Sequence, residues 1–183
     1  MDLVDSLGQL AEQNFSGIAF LIAYGVTWMV CGLVWQRADE RVAAYVTLFQ
    51  GLVALPAALG ISALIGAIGQ ARPVPDEVTQ LSVLIGTSQL LGLPLLIFFI
   101  VKRQHTVVPF AFAAITAMHF VLYAWLYRTP VYIAMAVAIS IGAMVLMLTA
   151  PEDRPRSGPA RVCYLTGALL LAATAVLLVG HLL

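Results

Sequence analysis

The sequence predicts an all-α, polytopic membrane protein with six transmembrane helices in one bundle. Hydrophobic residues make up 62% of the 183 residues and charged residues only 10%, whereas soluble domains carry about 25% charged residues. Six stretches of about 20 residues, the length that crosses a bilayer, contain no Asp, Glu, Lys or Arg. The stretches are apolar on all sides, unlike the one-sided helices of a soluble core. This composition excludes a soluble or disordered chain, and the formal net charge of zero gives no basis for binding nucleic acid.

Charged or proline-bearing segments separate the six predicted spans. The first span ends at the charged segment 36–41, the second fades into the polar loop 70–79, and the third ends at the basic segment 102–105. Segment 128–130 is too short to cross a bilayer, so spans four and five are predicted to form an antiparallel pair. The loop 150–161 precedes span six. The predicted spans are 17–35, 42–66, 80–101, 107–127, 131–149 and 162–183.

The distribution of basic residues predicts the orientation. The loops after spans one, three and five hold seven Lys and Arg residues, whereas the remaining loops and tails hold two. The positive-inside rule therefore places the odd-numbered loops in the cytoplasm and both termini outside. No basic segment or cleavage site indicates a removable signal peptide. Residues 1–16 are predicted to be a separate amphipathic tail, either a short helix in the outer interface or loosely ordered, and residues 17–183 the transmembrane domain.

Uncharged polar residues occur at a similar depth in four of the predicted spans. Since an α-helix rises about 1.5 Å per residue, we expect these residues to form a layer in the outer half of the bilayer. If the side chains point inward, they line a pocket that opens to the outside. The absence of charged residues within the spans argues against voltage sensing and against proton pumping through buried carboxylates. The layer consists of Tyr24, Thr27, Thr87, Ser88, Gln89, His119 and Ser140.

His119 is the most informative residue of this layer. With Tyr123 and Tyr127 it forms a stripe along one face of span four. A neutral imidazole both donates and accepts, so His119 is suited to orient a polar ligand or relay a proton. The alternative is a structural hydrogen bond to a neighbouring helix, for example to Gln89. Tyr127 and Trp125 also fit the aromatic belt at the membrane surface.

Two glutamines precede prolines within similar apolar runs. Gln50 precedes Pro56 in span two, and Gln89 precedes Pro94 in span three. A mid-span proline frees a carbonyl and bends the helix, and such bends often border cavities, although they also serve packing alone. Gln50 is expected near the inner end of its span and Gln89 near the outer end, so the two would form opposite ends of any shared path.

Small residues recur at spacings that suit close helix packing. They predict tight contacts within the bundle and leave a homo-oligomer open as well. Cys31 and Cys163 are expected to be packing residues near the reducing side, and no Cys or His pair has metal-ligand spacing. The small residues are Gly25, Gly32, Ala134, Ala138, Gly142, Ala168 and Ala172.

Two stretches resemble a family of small bacterial integral membrane proteins of unknown function. They are residues 23–28 (AYGVTW) and residues 119–129 (HFVLYAWLYRT). The resemblance extends over most of the chain and implies no particular activity. In size and number of spans the chain is also similar to the substrate-binding subunits of energy-coupling vitamin transporters, but the predicted outside location of both termini departs from that pattern.

Three function classes follow from these observations. The first is a protein that binds or passes a small neutral or amphipathic molecule, because no buried charge is present to pair with an ion. The second is a structural or partner-binding membrane subunit without a ligand. The third and least favoured is an intramembrane enzyme with His119 as general base, since no nucleophile, metal, cofactor or carboxylate can be assigned to it. The predicted ligand site is lined by Tyr24, Thr27, Trp28, Gln89, His119 and Tyr123.

Overall fold

A computed structural model gives the structure of residues 2–182. All regular secondary structure in this range is helical, and six helical stretches are long and apolar enough to cross a membrane. The predicted six-helix, all-α fold class is confirmed. Residue 1 of the predicted tail and residue 183 of the predicted sixth span lie outside the described residues. The six stretches are Phe15–Arg37, Glu40–Leu64, Asp76–Val101, His105–Leu126, Val131–Leu148 and Ser157–His181.

Residues 2–182 contain nine α-helices. Three short 3-10 segments join them: Phe15–Gly17, Gln89–Gly92 and His105–Val107. The second and third spans are therefore each built from two α-helices in succession. The α-helices are α1 (Leu3–Gln13), α2 (Ile18–Arg37), α3 (Glu40–Phe49), α4 (Gly51–Leu64), α5 (Asp76–Ser88), α6 (Leu93–Val101), α7 (Val108–Leu126), α8 (Val131–Leu148) and α9 (Ser157–Leu182).

Spans three and six begin earlier than predicted. The third span begins at Asp76, and both Asp76 and Glu77 lie in the first turn of α5, where carboxylates interact favourably with the helix dipole. The sixth begins at Ser157, so Gly158 and Pro159 belong to α9 rather than to the preceding loop. A proline is tolerated in the first turn of a helix because its missing N–H would have no acceptor there. These residues look like loop residues in the sequence although they start helices.

The two predicted proline bends coincide with interruptions in the helical hydrogen bonding. α3 ends at Phe49 and α4 begins at Gly51, with Gln50 between them in helical dihedral angles. In the third span, a 3-10 segment begins at Gln89, and α6 follows with Pro94 in its first turn. A 3-10 stretch within a long helix narrows it locally and often marks a functional position.

The spans are arranged in a ring. α2 packs along α9 and against α4, α9 packs against α8, and α8 against α7. The third span closes the ring, since α5 packs against α7 and α6 contacts α3 and α7. α4 and α5 pack on different neighbours and do not pack closely on each other. The ring is therefore least compact between the second and third spans.

Glycines allow the closest helix contact, between α2 and α9. A Cβ atom at Gly167 would lie 2.8 Å from the carbonyl oxygen of Gly25, and one at Gly32 would lie 2.8 Å from the Tyr164 ring. These glycines therefore serve internal packing. By contrast, Ala168 and Ala172 are exposed on the outside of α9, as is Ala134 on α8. The predicted small-residue positions are thus divided between the interior and the outer surface.

Successive loops lie at alternate ends of the bundle. At one end, the Arg156 guanidinium donates to the carbonyl of Ala38 over 2.7 Å. At the other, Gln13 donates to the carbonyl of Ala71 over 3.2 Å. We call the first the basic end, which holds segments 38–39, 102–107 and 149–156, and the second the terminal end, which holds α1, segments 65–75 and 127–130, and His181.

The N-terminal helix α1 folds over the terminal end. Leu7 and Leu10 on α1 are buried in a cluster with Val74, Val78 and Leu126. The chain then reverses into α2 through three consecutive residues with positive φ, Phe15–Gly17.

Contacts from two spans hold this reversal in place. The Tyr132 hydroxyl donates to the Ser16 carbonyl, and Ser16 Oγ lies 3.2 Å from His181 Nε2. Gly17 is required here, because its φ is +78° and a Cβ would lie 3.0 Å from the Tyr127 ring.

Candidate functional site

Both interrupted spans meet at the hydroxyl of Tyr24. A Cβ atom at Gly51, the first residue of α4, would lie 3.8 Å from the Tyr24 hydroxyl oxygen. The side chain of Gln89, at the start of the 3-10 segment in the third span, also lies close to this hydroxyl. Gln50 and Gln89 were predicted to form opposite ends of any shared path. Gln50 Oε1 lies 3.8 Å from the sulfur of Cys31, which is nearer the basic end of α2 than the Tyr24 that Gln89 approaches. That the two glutamines form the ends of one path stays a prediction. The two interruptions lie at a similar height because each falls near the middle of its span, around 25 residues long.

His119 is buried and hydrogen-bonded to the third span. The imidazole is 7% exposed, and its Nδ1 lies 3.2 Å from Ser88 Oγ. Ser88 already donates its single proton to the Ile85 carbonyl over 2.8 Å, so it accepts a proton from Nδ1–H of the imidazole. In the neutral ring this leaves Nε2 as an acceptor. The hydrogen-bond partner of His119 is thus Ser88 rather than the predicted Gln89, which follows Ser88 in the sequence.

Trp28 lies one turn deeper on the same face of α2 as Tyr24. Its side chain is 0% exposed, and its ring packs on Phe112 with centroids 5.4 Å apart. The indole N–H has no hydrogen-bond acceptor within the described range 2–182. A buried donor without an acceptor costs about 1–3 kcal/mol, so this nitrogen requires explanation.

The side-chain amide of Gln50 is a second buried polar group that lacks a hydrogen-bond partner. Gln50 is 5% exposed, and its Oε1 lies 3.8 Å from the Cys31 sulfur, which donates to it. Its Nε2 has no acceptor among residues 2–182. The oxygen and nitrogen of a glutamine amide can exchange places, so the unpaired position presents either a donor or an acceptor. Neither Gln50 nor Cys31 belongs to the predicted ligand site.

The remaining predicted site residues are half-buried and lie around this centre. Thr27 donates to the Tyr24 carbonyl over 2.9 Å, a local bond within α2. Tyr123 packs edge-on against His119, with ring centroids 5.1 Å apart. Gln89 is half-buried as well. Ser140, which the sequence places in the same layer, is exposed on the outer face of α8 and does not join the cluster.

Apolar all-round spans do not indicate which side faces inward, so the orientation of Ser140 could not be predicted. We use the name polar cluster for Tyr24, Trp28, Gln50, Ser88, Gln89, His119 and Tyr123.

A stack of tyrosines connects the polar cluster with the terminal end. Tyr123 stacks on Tyr127 at 5.7 Å, and both contact Tyr132 at 5.9 Å between ring centroids. Trp125 points outward and is 49% exposed, as expected of a membrane-surface aromatic residue. Tyr132 was missed in the sequence because its position at the start of span five also fits the aromatic belt.

The polar cluster does not open to the solvent at the terminal end. Tyr123 and Tyr127 pack beneath the leucines that α1 contributes there, and Leu10 is 0% exposed. The expected outward opening of the pocket is therefore covered by α1. Residues Leu3–Gln13 fold back because their leucines find an apolar partner surface on the loop before α5 and at the end of α7.

A buried hydrogen bond lies between the polar cluster and the basic end. Trp35 Nε1 donates to Thr47 Oγ1 over 2.9 Å, and Thr47 donates in turn to the Ala43 carbonyl. Trp35 and Thr47 are both 0% exposed. This pair joins α2 to α3. This bond could not be predicted, since Trp35 ends one apolar run and Thr47 is an isolated polar residue in another.

The charged side chains of residues 2–182 lie outside the polar cluster. The described charged side chains lie at helix ends or in loops. Within residues 2–182, no three His, Cys, Asp or Glu side chains come close enough to hold a metal ion together. Two shallow depressions lie at the two ends of the bundle, one of about 580 Å³ beside Arg41 and Arg156 and one of about 500 Å³ beside Gln13 and Gln70. Neither is lined by a residue of the polar cluster.

Comparison with protein families gives one match, which covers residues 8–179 and so nearly the whole chain. The chain belongs to DUF7010. The DUF7010 family is described as a family of unknown function. The match includes every residue of the polar cluster and the second half of α1. Together with the six membrane-spanning helices, it makes the DUF7010 protein an integral membrane protein of unknown function, as the two motif-like stretches indicated. Comparison with curated proteins and with solved structures finds no match.

Proposed function

We propose that the protein binds a small neutral or amphipathic molecule at the polar cluster. The observation that carries the proposal is the pair of buried, unpaired groups, Trp28 Nε1–H and the Gln50 amide. Buried polar groups in proteins are nearly always hydrogen-bonded, and each exception calls for a physical reason. An acceptor atom on a bound molecule would satisfy the Trp28 N–H, and a second polar atom would satisfy the Gln50 amide.

The charge distribution defines the class of ligand. Since the polar cluster contains no Asp, Glu, Lys or Arg, an ionic ligand would have no counter-charge in a medium of low dielectric constant. A neutral molecule with an acceptor oxygen fits the donors at Trp28 and Gln50. A hydroxyl on the same molecule would find an acceptor at His119 Nε2.

The helix interruptions support a binding role at this height. Pro56 lies inside α4 and Pro94 in the first turn of α6, and neither ring nitrogen can donate to a carbonyl one turn earlier. In membrane proteins, irregular backbone is tolerated where it is buried in protein or lines a cavity, and discontinuous helices commonly supply ligand groups near the midplane.

Ligand-dependent thermal stability of the purified protein tests this proposal. Neutral molecules of increasing hydrophobicity are screened against the wild type, and each hit is repeated with the double variant Gln89→Leu, His119→Ala. The exposed Ser140→Ala variant is the control, because Ser140 has similar depth but lies outside the polar cluster. We expect the shift to persist in Ser140→Ala and to disappear in the double variant. Equal shifts in all three proteins would rule out the polar cluster as the binding site.

The proposal includes a location in a bacterial plasma membrane with both termini outside the cytoplasm. The charge asymmetry supports it, since the basic end carries seven of the nine Lys and Arg residues. In this orientation α1 and the tyrosine stack lie on the outer side.

The second candidate is a structural or partner-binding subunit without a ligand. It is favoured by the exposed alanines Ala168 and Ala172, which leave a flat strip on the outer face of α9. Co-purification of a stoichiometric partner that is lost in Ala172→Leu, but retained in Val176→Leu on the same exposed face, would support this candidate instead.

A further inference from the structure

We infer that the ligand reaches the polar cluster from within the bilayer, between α4 and α5, and that it is a membrane-soluble amphiphile with an uncharged, oxygen-bearing head. This inference rests on the proposed binding function. It adds the route of entry and the class of molecule. Both follow because neither end of the bundle offers a route for a water-soluble molecule.

The terminal end gives no aqueous route. Leu10 and Leu126 are 0% and 1% exposed and belong to the apolar cluster beneath α1. Below them, the Tyr127 ring fills the space against Gly17, where even a methyl group would come within 3.0 Å. A water-soluble molecule would have to displace both α1 and the tyrosine stack.

The basic end gives no aqueous route either. The bond between Trp35 and Thr47 crosses from α2 to α3, and Val108 at the start of α7 is 0% exposed in the same apolar core as Trp35. Cys31, between this bond and Trp28, is 1% exposed. These side chains fill the interior of the bundle from the basic end up to the polar cluster.

The wall of the bundle is open on one side only among the described helices. Contacts at Gly25 and Gly167 seal α2 against α9, and Leu165 fills the space over Gly142 between α8 and α9. In contrast, α4 packs on α2 and α5 packs on α7, with no close packing between α4 and α5. Gln89, at the C-terminal end of α5, is half-buried.

The outer faces beside the gap are those of lipid-contacting helices. Leu52 on α4 is 73% exposed, Leu84 on α5 is 65% exposed, and Leu91 in the 3-10 segment is 84% exposed. An alkyl chain would contact such side chains as favourably as a lipid tail does. A ligand whose alkyl chain lies between these helices and whose head lies at Trp28 and Gln50 would therefore contact apolar side chains with its chain and polar groups with its head.

Fluorescence of Trp28 in vesicles tests the route directly. The variant Trp35→Phe, Trp125→Phe leaves Trp28 as the only tryptophan, and Thr47 retains its bond to the Ala43 carbonyl. The protein is reconstituted in phosphatidylcholine vesicles. Three quenchers are compared: a monoacylglycerol brominated on its acyl chain, a brominated alkane of equal length, and aqueous acrylamide.

We expect saturable quenching of Trp28 by the brominated monoacylglycerol, weaker and non-saturable quenching by the alkane, and protection from acrylamide. Gln50→Leu should raise the half-saturating mole fraction about ten-fold, the effect of one lost hydrogen bond. Ser140→Ala should leave it unchanged.

Two glycine variants test whether the route ends beside Tyr123 in the polar cluster. Gly86→Leu fills space near the Tyr123 hydroxyl, 3.8 Å from a Cβ at this position, whereas Gly60→Leu on α4 projects into open space. We expect Gly86→Leu, but not Gly60→Leu, to slow the onset of quenching by the monoacylglycerol.

The lateral route and the proposed binding function are overturned by different results. Quenching of Trp28 by acrylamide, without quenching by the monoacylglycerol, overturns the lateral route. Equal effects of Gly86→Leu and Gly60→Leu also overturn it. In both cases a thermal shift that depends on His119 and Gln89 would still support the proposed binding function. If neither the quenching nor the thermal shift is observed, both fail.

Discussion

The 3.2 Å contact between Ser88 Oγ and His119 Nδ1 links the interrupted third span to the centre of α7. It fixes the imidazole with Nδ1–H directed at the serine, because the Ser88 proton is engaged by the Ile85 carbonyl. The second imidazole nitrogen stays available as an acceptor. This contact therefore holds span three to the bundle, and it also orients the His119 imidazole within the polar cluster.

Ser88→Ala is expected to destabilise the protein by about 1 kcal/mol, because the buried Nδ1–H loses its acceptor. Thr87→Ala is the matched control. The Thr87 hydroxyl donates only to the carbonyls of its own helix and its side chain is exposed. Thermal unfolding of both variants in the same detergent measures the difference. A loss in Thr87→Ala as large as that in Ser88→Ala would show that the contact with His119 contributes little.

Gly167→Ala should destabilise the bundle by roughly 1–3 kcal/mol, since overpacking forces neighbouring groups apart. Its Cβ would lie 2.8 Å from the Gly25 carbonyl oxygen and 3.0 Å from the Met29 backbone nitrogen, neither of which can rotate away. Gly180→Ala on the same helix is the control, because nothing lies within 4 Å of its Cβ position. Equal melting temperatures of the two variants would contradict the close α2–α9 contact.

The orientation can be measured with two single cysteines. Gln9→Cys lies on the exposed side of α1 at the terminal end, and Gln104→Cys is exposed at the basic end. The native Cys31 and Cys163 are buried, so we expect them to remain unlabelled. In intact cells without an outer membrane, a membrane-impermeant maleimide should label Gln9→Cys and should label Gln104→Cys only after permeabilisation. The opposite pattern would invert the proposed orientation.

Gln50→Leu is expected to leave the unliganded protein as stable as the wild type or to stabilise it by up to about 1 kcal/mol, because it removes an unsatisfied buried amide. A glutamine kept for structure alone would instead give a destabilised variant. Chemical or thermal unfolding of ligand-free protein, together with the binding assay, separates these roles. The expected signature is unchanged or raised stability combined with weakened binding.

The sequence predicted the number and class of the helices because span length depends only on local composition. A bilayer requires about 20 apolar residues, and each predicted span meets that length regardless of its neighbours. The helix starts at Asp76 and Ser157 were missed, since capping acids and a first-turn proline resemble loop residues.

The polar cluster was only partly predictable. Depth along each span placed Tyr24, Gln89 and His119 at a similar height, and the prolines indicated where spans two and three are interrupted. The direction in which each side chain points depends on packing between helices, so Ser140 was misplaced. Counting residues placed Gln50 on the inner side of Gln89, but it did not give Cys31 as the neighbour that the Gln50 amide meets.

Native mass spectrometry of the protein released from its own membrane tests the central claim most directly. The wild type, Gln50→Leu and the exposed-site control Ser140→Ala are compared under the same release conditions. We predict a discrete, neutral small-molecule adduct on the wild type and on Ser140→Ala, and its loss or marked depletion on Gln50→Leu. The absence of any discrete adduct on the wild type, or an adduct retained equally by all three proteins, would contradict binding at the polar cluster.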